Sequence, residues 1–193
     1  MLENFQSPAR AIFFGNLLLV LCCVFYLAWW FLAFRVNNPI KGIQSGWLLI
    51  PAAVAGLSAV VLTIQGITAT KAESALVPSH VFLWGGAIAF VILAVITVVV
   101  FKRQMTSELL LFVFWGALAL AEVNVLYGSQ QLSSVAALVL TLIVVLVVAA
   151  SLVCYVLFYR LEPRLAFWDG AIPLLLIALT MAALSVCLVA HLR

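Results

Sequence analysis

Six runs of mostly apolar residues, each roughly 20 or more long, follow one another along this chain of 193 residues. Each is long enough to cross a hydrocarbon core about 30 Å thick as a helix. They cover about 11–34, 47–68, 81–101, 108–127, 134–159 and 170–190, and leave only short connections. The fold class is therefore all-α: a polytopic integral membrane protein, a single domain over 1–193 built as a bundle of six transmembrane helices. Hydrophobic residues make up 68% of the chain and charged residues 8%, which excludes a soluble globular domain. The net charge of +3 is spread among the loops and leaves no nucleic-acid footprint.

The first run follows Arg10 as the core of a signal peptide would, but it is too long for one and shows no small-residue cleavage site. It reads as a true span. Cys22, Cys23, Cys154 and Cys187 lie within apolar runs, with no CxxC spacing and no companion histidine in the same run. They read as small hydrophobic side chains, and neither a metal nor a cofactor is expected.

An even number of spans puts both termini on one side. The connections after the odd-numbered spans hold Arg35, Lys41, Lys102, Arg103, Arg160 and Arg164, against Arg10, Lys71 and Arg193 on the other side. Cations in short loops favour the cytoplasm, which predicts both termini on the non-cytoplasmic side of the cell membrane. Trp29, Trp30, Trp47 and Trp168 fall at the cytoplasmic boundary, where indole rings anchor at the interface.

The fourth run contains Glu122. A carboxyl facing lipid costs from a few to more than about ten kcal/mol, so it turns inward and its helix is expected to have neighbours. Helical spacing puts Trp115, Leu118, Glu122 and Val125 on one face, and Ala117, Ala121, Asn124 and Gly128 on the other, a ridge of small residues with one amide. Small residues let helices approach closely in lipid, so neighbours are expected on both faces.

Counted inward from the surface that carries the termini, Asn16, Gln65, Glu122, Asn124, Thr141 and Ser185 all fall in the nearer half of the membrane. His80 and His191 lie close to that surface, and the half toward the cationic loops is almost wholly apolar. The expected ligand site is this polar layer, with Glu122, Asn124, Asn16, Gln65 and Trp115 lining it. The structural alternative is interhelical hydrogen bonding, worth about 0.6 kcal/mol per bond in membranes.

A second candidate is the turn FYRLEPRLAFWDGAIP. It sets Arg160, Glu162, Arg164, Trp168 and Asp169 close together, with Pro163 opening a short helical turn and Asp169 placed to cap the last span. Such a segment suits the membrane interface and could dock anionic headgroups or a partner. The order Arg35, Pro39, Ser45, Gly46, Pro51 parallels Arg160, Pro163, Asp169, Gly170, Pro173, a suggestion of an internal repeat that the middle hairpin does not share.

No GxSxG with a partner histidine, no HExxH and no paired carboxylates on one helix occur, so an enzyme is the least supported class. Two readings follow. One is a permease or transporter component that binds a small molecule or ion around Glu122; the other is a non-catalytic scaffold or accessory subunit that docks a partner or lipid through Arg160 to Asp169. The expected partners are the lipid bilayer and a second copy or another membrane protein.

Overall fold

Lipid offers no partner to a backbone amide, so each apolar run has to satisfy its own hydrogen bonds as a helix. The computed structural model describes residues 7–34, 46–70, 77–100 and 107–191. Among them it is all-helical, without strands: α1 Ser7–Ala33, α2 Leu49–Ala69, α3 Ser79–Val99, α4 Ser107–Gly128, α5 Ser134–Leu157 and α6 Pro163–His191. All six are long and apolar enough to cross a membrane. The cations Arg35, Lys41, Lys71, Lys102, Arg103 and Arg193, and most of the first turn compared above, lie outside the described residues.

The helices form two compact units. The first holds α1, α2 and α6. Ala52, Ala55, Ala59, Thr63 and Gly66 make a buried ridge of small residues along α2. Its neighbour α1 runs antiparallel and approaches almost backbone to backbone: a Cβ on Gly66 would lie 2.9 Å from the Pro8 carbonyl, and one on Gly15 would lie 3.1 Å from that of Ala59. This is the close packing that small residues permit in lipid.

In the same unit α6 packs against α1 through an aromatic cluster of Leu27, Trp30, Ala171 and Leu174, flanked by Tyr26, Trp29, Phe158 and Phe167. Trp30 donates its indole N–H to the carbonyl of Phe167 at 3.0 Å and stacks on Phe34 with centroids 4.4 Å apart. Gly170 is the residue that clears its ring. Trp30, expected as an interface anchor, is thus 7% exposed and part of the packed interior, because its polar edge finds a backbone acceptor there. Trp47 and Trp168 stay exposed.

The second unit holds α3, α4 and α5 as far as Tyr155. Gly86 of α3 lies against Ala117 of α4, where a Cβ would come within 2.6 Å. Gly116 lies against Val148 of α5 at 2.5 Å in the same sense. The buried residues of α5, Ala137, Leu140, Val144, Val147 and Ser151, alternate at three and four. That is the narrow seam of a helix packed along one edge. Only 6% of the α3 span is buried, against 78% of the α4 span.

Between α4 and α5 the chain turns through Gln130, which takes a φ of 60° while Gln131 donates to the carbonyl of Leu126 at 2.9 Å. Ser133 then caps α5 by accepting from the amide of Ala136 at 3.2 Å.

Candidate functional site

The carboxyl of Glu122 sits in α4, the most enclosed helix, and is 0% exposed. Trp115, Leu118 and Val125 on its own face are buried, and so are Ala117, Ala121, Asn124 and Gly128 on the other. Both faces of α4 are therefore covered, as its pattern predicts, and Glu122 meets neither acyl chains nor bulk water. A carboxyl in such a place needs a proton or a polar partner to be tolerated. Glu122 does make a polar or electrostatic contact within the chain.

The other expected members of the layer are placed each within its own unit. Asn124 points away from Glu122 and donates to the carbonyl of Val77 at 2.6 Å, tying the segment before α3 to the end of α4. It acts as a structural tie. Asn16 and Gln65 belong to the first unit and Glu122 to the second, and each is placed within its own unit. Asn16 is buried on α1; counting equal steps back along α1 and forward along α6 from the contact of Trp30 with Gly170 brings it level with Leu184 and Ser185. Gln65 lies on the exposed face of α2, because the ridge of small residues takes the buried face. Thr141 is half-buried, and Ser185 returns its hydroxyl to the carbonyl of Met181 at 2.9 Å.

The turn at 160–169 departs from the expected arrangement. Pro163 opens α6 itself, with Ala166 donating to the carbonyl of Glu162 at 2.9 Å, and the helix runs without a break through Asp169 and Pro173. Asp169 is therefore an interior helical residue, not a cap, and its side chain is buried. The reason is local: Pro163 suits the first helical position, and no glycine or proline interrupts the chain before Gly170. Arg160, Glu162, Arg164 and Leu165 are exposed, as is Trp168, whose ring packs on Phe31 with centroids 5.9 Å apart.

Two buried polar groups of the second unit come forward, one of them on Trp115 of the expected site and the other outside it. The indole Nε1 of Trp115 and the hydroxyl of Ser151 are buried and meet no hydrogen-bond partner among the described residues. For Ser151 the signal available in the sequence was a serine in line with the apolar residues of the buried stripe of α5. No family model, curated protein or solved structure matches this chain.

Proposed function

We propose that this membrane protein is a permease or transporter component of the cell membrane that binds a small molecule or ion at Glu122. The observation that supports this is the complete burial of a carboxyl in a membrane-crossing helix. Ionisable groups at that depth are costly, and they commonly serve substrate, cation or proton pathways. Glu122→Gln keeps the shape and removes the charge. In lipid nanodiscs, the wild-type protein is expected to rise in melting temperature with its ligand in a screen of amino acids, vitamins, cations and pH steps, and the variant to fold but lose that rise. A variant that keeps the full response rejects the reading.

A second reading is favoured by the exposed Arg160, Arg164 and Trp168, gathered at one end of α6 while Asp169 is turned inward. In it the protein is a scaffold or accessory subunit whose turn docks anionic lipid or a membrane protein, including a second copy of itself. Charge reversal at Arg160 and Arg164 together would then release a co-purifying protein or weaken retention of anionic lipid. The same cationic turn, with the other cations on its side of the membrane, supports a non-cytoplasmic position for both termini.

A further inference from the structure

Phe31 of α1 and Trp168 of α6 build an aromatic ledge at one end of the first unit. The ring of Phe31 stands edge to face with both Phe167 and Trp168, with centroids 5.2 and 5.9 Å away and planes inclined at 75° and 70°. Phe167 and Trp168 meet each other at 5.5 Å. Behind them the indole of Trp30 holds the carbonyl of Phe167 at 3.0 Å, which ties the backbone under the ledge to α1. Trp168 is therefore held from one side while 56% of its surface stays open, and Phe31 is 37% exposed.

Arg164 stands one turn before Trp168 on the same face of α6. It is exposed, as are Arg160 and Glu162 in the turn that leads into the helix, whereas the side chain of Asp169 is buried. Two exposed cations against one exposed anion leave a net positive charge beside the ledge. On its other side, toward the middle of the spans, two exposed apolar stripes begin. The stripe on α6 reads Ile172, Leu175 and Leu179, at the three- and four-residue spacing of one helix face. On α1, which runs antiparallel to α6 from Trp30 at Gly170 to Leu27 beside Leu174, Val24 and Leu17 follow Phe31 at intervals of seven. The contact of Phe31 with Trp168 brings the heads of the two stripes together.

We propose that this edge of the first unit binds one anionic phospholipid. Its phosphate sits at Arg164, within the positive field that Arg160 adds, its glycerol esters accept from the indole N–H of Trp168, and an acyl chain lies along the two stripes. This rests on the docking reading of the turn given above and commits that turn to lipid. A phospholipid presents charge, then ester, then hydrocarbon along one axis, and the edge presents arginine, then indole, then aliphatic side chains in the same order. A guanidinium pairs with phosphate through parallel N–H bonds, and an indole suits the level between water and acyl chain. A protein partner would call for an apolar centre with charge around its rim, whereas here the charge stands at one end and the apolar surface runs on into the membrane. Every group named belongs to the first unit.

Fluorescence quenching tests the site in phosphatidylcholine nanodiscs to which phosphatidylglycerol with brominated chains is added, with brominated phosphatidylcholine of the same chains as the control. The signal of Trp168 is the difference between the wild-type protein and Trp168→Phe. Quenching is expected at about fivefold lower mole fraction of the anionic lipid, the factor that one net basic charge contributes near a membrane surface. Arg164→Gln should bring the two lipids level, and Glu162→Gln should widen the preference about fivefold further. Both residues are exposed, so neither change is expected to disturb the fold. Equal quenching by the two lipids in the wild-type protein, or a preference that neither substitution moves, overturns the site. If the lipids quench equally while charge reversal at Arg160 and Arg164 releases a co-purifying protein, the lipid site falls and the docking reading stands.

Discussion

The side-chain amide of Asn124 and the carbonyl of Val77 meet at 2.6 Å, joining the end of α4 to the residues that lead into α3. α3 is otherwise almost bare, gripping α4 through a narrow line that includes Gly86. A polar bond at the rim and a close approach nearer the centre thus help to hold a helix that is largely exposed among the described residues.

Asn124→Leu should consequently loosen that hairpin without touching ligand binding at Glu122. The bond is worth about 1 kcal/mol, and the loss includes a carbonyl left without its donor. A lower unfolding midpoint with an unchanged ligand-induced shift is the expected outcome. A variant that unfolds normally but loses the shift would return Asn124 to the binding site.

The neighbouring glycines Gly85 and Gly86 should respond in opposite directions to the same change. A Cβ on Gly86 would lie 2.6 Å from that of Ala117, whereas one on Gly85 meets nothing within 4 Å. Gly86→Ala is expected to cost about 1–3 kcal/mol by overpacking, and Gly85→Ala to gain up to about 1 kcal/mol from helix propensity. Thermal unfolding of the two single variants in one detergent makes the comparison.

Much of this architecture is written in the chain itself. Length and hydropathy alone dictate six helices, and one carboxyl in the fourth run is enough to mark α4 as enclosed, since lipid tolerates Glu122 poorly. The membership of the site was less legible, for physical reasons. Depth along a span can be counted from sequence, but which side of the helix a lone amide takes depends on what its neighbours bury. Gln65 loses the inner face of α2 to Ala59, Thr63 and Gly66, and Asn124 is claimed by a backbone carbonyl at Val77. Asp169 carries the residue type of a cap, yet Pro163 begins the helix earlier, so the charge ends up inside it.

The turn after α4 offers a stabilising substitution. Gln130 adopts a left-handed backbone at φ 60°, closing the helix end with the bond from Gln131 to Leu126. Glycine reaches that conformation without the Cβ penalty, although it gives back some chain entropy on folding. Gln130→Gly should therefore raise stability by about 0.5–1 kcal/mol, visible as a higher unfolding midpoint. A decrease would show that side-chain contacts of Gln130 outweigh its backbone strain.

Trp30 and Gly170 should behave as a coupled pair. A Cβ at position 170 would run into the six-membered part of the Trp30 indole, while the indole N–H holds the Phe167 carbonyl one turn away. Gly170→Ala is expected to cost about 1–3 kcal/mol because the ring has to move within a cluster that includes Phe34 and Phe158. Trp30→Phe loses the hydrogen bond, about 1 kcal/mol, and some packing, but it withdraws the atoms that Gly170 clears. The double variant should therefore be about 1 kcal/mol more stable than the sum of the single losses predicts. Strict additivity would mean that the α1 and α6 helices shift apart as soon as either side chain is changed, and that Gly170 is not the residue that admits the ring.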